Sequence, residues 1–157
     1  MKILVTSDMH GKVSYFEKAI NNHPDIKNIF FLGDGLSKAE EISYCYDNKT
    51  FYMVPGNCDN PFSFLSTTGY EFIEGVKILY THGHAYNVKS SLSYLKEKAK
   101  ESQSKLCLYG HTHNADILYE NGIYFVNPGT LAGKNGLYSY AVIDITKEGI
   151  VPRIMEI

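Results

Sequence analysis

Cysteine is scarce in this chain: Cys45, Cys58 and Cys107 are the only three in 157 residues. Odd in number and unpatterned, they exclude a disulfide framework and fit a reducing cytoplasm. Long apolar runs are missing too. No stretch approaches the ~20 apolar residues of a membrane helix, and Met1-Lys2-Ile3-Leu4-Val5 is too short for the core of a secretory signal. Charge of one sign is also lacking. A net charge of −2 gives no reason to expect nucleic acid or an anionic membrane as a main partner. There is no repeat, low-complexity tract or linker. With 44% apolar and 20% charged residues the composition is that of an ordinary globular protein. The length suits one hydrophobic core and is short for two, so residues 1–157 are read as a single domain.

What is present is a series of short apolar runs with polar ends. Lys2 to Thr6 is a β-branched and Leu run of the kind buried on both faces in a parallel sheet. Val13, Phe16, Ala19 and Ile20 then change to helical spacing, which Asn21-Asn22-His23-Pro24 ends. Asn28 to Leu32 and Thr50 to Val54 read as further strands. Between them Ser37 and Glu40 offer a capping box for a helix reaching about Tyr46.

Hairpins follow this β-α-β-α-β half. Tyr70 to Ile73 turns into Lys77 to Thr81, Ile117 to Glu120 turns across Asn121-Gly122 into Ile123 to Val126, and Tyr138 to Ile145 turns into Ile150 to Met155. A helix is expected from about Ser91 to Glu101, and a short strand from Leu106 to Tyr109. The expected class is α/β: a layered α-β-β-α sandwich of two mixed sheets flanked by helices.

Five of the six histidines fall in clusters directly after apolar runs: Asp8-Met9-His10, His82-Gly83-His84 and Gly110-His111-Thr112-His113. Gly33-Asp34 and Gly56-Asn57-Cys58-Asp59 are placed in the same way. Each piece alone has a plain explanation. Asp8 could cap a helix, Gly33-Asp34-Gly35 and Gly56-Asn57 could be turns, and His23 before Pro24 reads as a helix cap or surface residue. Together they place every candidate ligand at the carboxyl end of a strand, the edge where open α/β sheets bind ligands. Alternate residues of an extended chain point the same way, so Asp8 and His10 are expected to converge. The combined set points to two divalent metals.

The motifs resemble those of the calcineurin-like metallophosphoesterases, whose order D-x-H, G-D, G-N-[H or C]-[D or E], H-G-H and G-H-x-H is met in full. The small size, the Gly-Asn-Cys-Asp form and Asn127-Pro128-Gly129-Thr130 are similar to the compact bacterial and archaeal phosphodiesterase branch. The resemblance implies a two-sheet sandwich with flanking helices. One metal would take Asp8, His10 and His113, the other Asn57, His82 and His111, with Asp34 bridging both. Asp34, Asn57 and His111 would stand at the catalytic centre. The cofactors implied are two divalent ions, Mn by family analogy, with Ni, Fe, Co and Zn also suited to mixed N and O donors.

The implied reaction is hydrolysis of a small-molecule phosphodiester by in-line attack of a hydroxide bridging the metals, so no Ser or Cys nucleophile is required. A phosphomonoesterase with the same site is the nearest alternative. A non-catalytic interaction scaffold is the other, since the retromer complex uses a protein of this fold with a degraded metal site. Compact members of the branch are commonly dimeric or larger, which makes homo-oligomers an expectation. Cys58 stands where many members carry a His and is expected to be a small packed residue, leaving Asp59 or His84 as candidate general acids. Thr130 and Lys134 are read as a polar surface loop. Phe62, Phe64 and Tyr86 could stack on a base or cover a core edge.

Overall fold

The structure, a computed structural model, describes residues 1–157. Its elements run β1 (Lys2–Thr6), α1 (Val13–Asn21), β2 (Asn28–Phe31), α2 (Leu36–Ser43), β3 (Thr50–Met53), β4 (Thr68–Ile73), β5 (Val76–Thr81), a 3-10 turn (His84–Tyr86), α3 (Ser93–Glu101), β6 (Leu106–Leu108), β7 (Ala115–Glu120), β8 (Ile123–Pro128), β9 (Ser139–Thr146) and β10 (Gly149–Glu156). One sheet has the order β10-β9-β1-β2-β3 and the other β4-β5-β6-β8-β7. Both are mixed. In the first, β1, β2 and β3 are parallel and β9 and β10 antiparallel. In the second, β5, β6 and β8 are parallel, with antiparallel β4 and β7 at the edges.

The period-two alternation of each strand decides the layers. Ile3 and Val5 of β1 and Phe30 of β2 face Ile78, Leu106, Leu108 and Val126 of the opposite sheet and form the central core. Leu4, Ile29 and Phe31 point the other way, onto Phe16, Ala19 and Ile20 of α1 and Ala39 and Ile42 of α2. On the second sheet Leu79, Cys107 and Phe125 meet Leu95 and Ala99 of α3. The result is the α-β-β-α sandwich expected from the pattern of runs. No helix is long and apolar enough to cross a membrane.

Two local expectations are corrected. The helix α2 starts at Leu36 after Gly35 and makes no side-chain cap of its own, so Ser37 and Glu40 do not form a capping box. It also ends at Ser43, short of Tyr46. Ser37 cannot cap from within the first turn, and the first amides of the helix are satisfied from another loop, as described below. Asp8 caps nothing either: α1 begins after Lys12 with no side-chain cap.

The central core lies between the two sheets, with Phe30 within it. Phe30 is fully buried and stacks on Tyr52, with ring centroids 4.7 Å apart. Phe30→Ala is expected to lower unfolding free energy by about 3–5 kcal/mol in urea titrations. Tyr94→Ala, at a side chain 65% exposed on α3, should stay within about 0.5 kcal/mol. Equal effects from the two would contradict this assignment of the core.

Candidate metal centre

The loops that leave β1, β2, β3, β5 and β6 meet at one edge of the sandwich, and five of the seven candidate ligands there have left-handed backbone. Asp8 (φ 54), His10 (φ 42), Asp34 (φ 60), His111 (φ 68) and His113 (φ 58) all lie in this region, which is uncommon and costly for L-residues with a Cβ. Asp8 and His10 therefore converge through a tight left-handed turn and not through extended chain, which corrects the geometric reason given for that motif. The loops also approach more closely than side chains allow. A Cβ on Gly56 would lie 2.1 Å from Asp34 Oδ1, and one on Gly110 would lie 2.0 Å from Ser7 Oγ. Backbone bonds join the loops: the Asp8 amide donates to Gly33 O at 2.9 Å, the His10 amide to Asp34 O at 3.0 Å and the Gly110 amide to His82 O at 3.0 Å.

The side chains then meet around Asp8 and Asp34. Asp8 is fully buried. Its Oδ2 accepts from Ser7 Oγ at 2.6 Å and from the His111 amide at 3.0 Å. Its Oδ1 makes no hydrogen bond, although His113 Nε2 lies 3.0 Å away and His10 Nε2 3.9 Å away. Asp8, His10, Asp34 and His113 offer donor atoms all within 4.8 Å of one another. On the other side Asp34 Oδ2 is 3.5 Å from both His10 Nε2 and His82 Nε2. His82 Nε2 in turn lies 3.1 Å from Asn57 Oδ1 and 3.1 Å from His111 Nδ1. All seven expected residues are thus brought together.

The His82 tautomer is fixed by its backbone partner. Leu32 O, 2.6 Å from His82 Nδ1, can only accept, so Nδ1 carries the proton and Nε2 presents a lone pair to the cluster. Asn57 is oriented too: its Nδ2 donates to Cys58 Sγ at 3.3 Å, which turns Oδ1 inward. Lone pairs of His82, Asn57 and Asp34 therefore face each other, and a buried carboxylate oxygen stands without a hydrogen bond. Both arrangements favour positive charge between the donors, whether a protonated His113 beside Asp8 or a bound cation. The mixed N and O set, without thiolate, suits a divalent first-row metal.

Several supporting residues were not assigned from the sequence. Asp59 Oδ2 accepts from the Asp34 and Gly56 amides and its Oδ1 from the Gly35 and Leu36 amides, each at 2.8 Å. It thereby caps α2 from the β3 loop and ties Asp34 to Asn57. Four amide donors occupy its two oxygens, so Asp59 is no candidate for the general acid. Buried Asn127 donates to Gly110 O at 3.1 Å and Thr112 Oγ1 at 3.0 Å, holding the Gly-His-Thr-His loop. Thr130, expected on a surface loop, is buried and donates to Asp8 O at 2.9 Å. Cys58, expected to be packed beneath the site, is exposed. His84 sits with its ring centroid 5.3 Å from that of His82, and its buried Nδ1 has no partner. His23 lies apart and bonds Tyr140 Oη at 3.0 Å.

The titration behaviour follows from these contacts. Burial raises the Asp8 carboxyl, but the His113 contact, the neighbouring His82 ring and the Ser7 hydroxyl outweigh it and hold the group below its usual range. The same Asp8 contact lifts His113 against the effect of burial. His111 is pushed down to about 4 by burial, His82 and Lys89, so it is neutral and ready to ligate at pH 7.

Comparison with known proteins agrees with this geometry. The model of the calcineurin-like phosphoesterase superfamily domain matches residues 1–148. A probable metallophosphoesterase of Bacillus subtilis, YsnB, is 26% identical over 163 residues, covering 99% of this chain and 91% of the relative. The solved structure of a predicted phosphoesterase from Streptococcus pneumoniae superposes with a TM-score of 0.83 at 26% identity, over 99% of this chain and 88% of that one. Two more distant structures share the fold. An archaeal phosphodiesterase has a TM-score of 0.75 at 22% identity, covering 99% of this chain and 100% of its own. Zinc-complexed Vps29 of Entamoeba histolytica has a TM-score of 0.75 at 19% identity, covering 99% of each chain.

Two measurements follow for the metal-free protein. A raised His113 stabilises fully below its ordinary value of 6.5 and loses that contribution as pH climbs through its raised value, whereas the lowered Asp8 stabilises above 3.8 and loses it as pH falls. The urea midpoint of His113→Ala should therefore differ most from wild type between about pH 4 and 6.5. A difference constant up to alkaline pH would contradict the pairing. Asp59→Asn turns an amide toward backbone donors and should cost about 1–3 kcal/mol in urea with chelator present. A neutral effect would remove its bracing role.

Proposed function

Because the chain belongs to the calcineurin-like phosphoesterase superfamily, we propose that it is a single-domain, dinuclear metal-dependent phosphodiesterase acting on small-molecule phosphodiesters in the cytoplasm. One observation carries the reading: seven candidate donors gather at one edge, Asp34 Oδ2 lies 3.5 Å from both His10 and His82, and the oxygen of buried Asp8 that faces them has no hydrogen bond. Asp8, His10 and His113 would hold one ion and Asn57, His82 and His111 the other. Asp34 would serve both ions, and its negative charge would offset the repulsion between two dications. Neutral Asn57, His82 and His111 keep the centre positive for an anionic phosphate.

Two divalent ions held there, Mn by family analogy and Ni, Fe, Co or Zn by donor type, would supply an activated water for in-line attack on phosphorus and neutralise the charge that develops there. The chain's own part is orientation. Leu32 O holds the His82 tautomer, Ser7 and the His111 amide fix one Asp8 oxygen so that the other points into the cluster, and Asp59 sets Asp34 against Asn57. Protonation of the leaving group is weakly provided for. Although Cys58 is exposed, partial desolvation and the nearby carboxylates of Asp34 and Asp59 raise its thiol, so it parts with its proton reluctantly. Substrates with good leaving groups, which need no acid, are expected to react best.

A scaffold role would be marked by missing ligands, and here each of the seven positions holds a competent donor. Hydrolysis of bis(p-nitrophenyl) phosphate should require added Mn and fall by at least about 100-fold in Asp34→Asn and in His111→Ala. Full activity in either variant would remove the assigned mechanism. Faster turnover of p-nitrophenyl phosphate than of the diester would instead make the protein a phosphomonoesterase.

A further inference from the structure

Beside the donor cluster the surface opens into a cavity of ≈ 250 Å³, whose lining includes His113, Asn114, Lys134, Asn135, Ile154 and Glu156. Its polar groups include one ammonium, at Lys134, two side-chain amides, at Asn114 and Asn135, and one carboxylate, at Glu156. Lys134 Nζ donates to Asn114 Oδ1 at 2.6 Å, which leaves two ammonium hydrogens free. That bond also turns the Asn114 oxygen toward the lysine, so the amide NH₂ faces away with both hydrogens unused. The hydroxyls in the lining are already committed, Thr130 to Asp8 O and Ser139 to Pro128 O.

Lys134 differs from several other lysines of the chain. Lys38, Lys96 and Lys98 are paired with Glu41, Glu120 and Glu101. Lys134 rests on a neutral amide, and although exposed Glu156 shares the cavity, the two form no ion pair. Its charge is therefore not neutralised, next to a residue of the donor cluster.

The geometry points to a second anion subsite in this cavity, where Lys134, braced by Asn114, binds a carboxylate or phosphate on the non-reacting arm of the substrate. The inference rests on the reading of the adjoining cluster as a phosphodiesterase centre. At ≈ 250 Å³ the cavity is smaller than the ~300–1,000 Å³ typical of drug-sized ligands. It suits a short arm of a few heavy atoms. The substrate class is a phosphodiester with a second anionic group close to the scissile phosphorus.

The test compares four p-nitrophenyl phosphodiesters whose second arm is ethyl, glycolate, 2-phosphoethyl or choline, using Mn-loaded wild type, Lys134→Gln and Lys134→Glu. Wild type should favour one or both anionic arms over ethyl by about tenfold in kcat/KM, expressed in KM; the arm with the lower KM tells carboxylate from phosphate. Lys134→Gln should abolish the preference and Lys134→Glu should move it to choline. Equal arm ratios in all three proteins would overturn the subsite.

Calorimetry with phosphoglycolate and ethyl phosphate gives a readout independent of turnover. Wild type should bind phosphoglycolate or, for a phosphate arm, ethylene glycol bisphosphate about tenfold more tightly than ethyl phosphate, and Lys134→Gln should not. Failure to hydrolyse any diester would refute the diesterase reading, while equal affinities in wild type would refute the subsite itself.

Discussion

A buried carboxylate oxygen without a hydrogen bond is the constraint around which this molecule is arranged. Asp8 is sealed from solvent, and one of its oxygens is held by Ser7 and the His111 amide so that the other must point at His10, His113 and His82. Such a group is costly on its own. The arrangement becomes favourable when positive charge enters the cluster, and the lone pairs of His82, Asn57 and Asp34 converge on the same space. The fold thus gathers its donors about one small volume.

Holding them so requires rigidity that the cluster cannot supply itself. Five donor residues sit in left-handed backbone, and the Gly33 and Gly56 loops touch backbone to backbone. The sheets beneath are built to withstand this. Fully buried Phe30, Leu106 and Leu108 fix β2 and β6, whose ends carry Asp34 and His111. The charge of Asp59 then gathers four amides from the β2 and β3 loops, and Asn127 secures the β6 loop. Strain at the centre and polar bracing around it are one design, because each left-handed turn needs a neighbour that prevents its relaxation.

The layers and the donor set were readable from the chain because they depend on residue type and spacing. The continuous apolar run at Lys2–Thr6 specifies a strand buried on both faces and helical spacing at Phe16, Ala19 and Ile20 specifies one buried face, and clustered histidines after apolar runs have few structural uses. The bracing was not readable. Asp59 caps a helix that begins earlier in the chain, and a local rule such as the capping box at Ser37 and Glu40 cannot see a partner arriving from another strand. Thr130 and Asn127 looked like turn residues because their partners, Asp8 and Gly110, are distant in sequence. Left-handed backbone at Asp8 and His10 was hidden for the same reason, since neither residue type demands it.

The central claim is that these donors enclose a pair of ions bridged by Asp34. A crystal structure of the Mn-loaded protein, with anomalous scattering recorded at the Mn edge, tests it directly. Two peaks ~3.5–4 Å apart, one against Asp8, His10 and His113 and the other against Asn57, His82 and His111, with Asp34 touching both, are the predicted result. A single peak at saturating Mn, or two peaks that do not share Asp34, would contradict it.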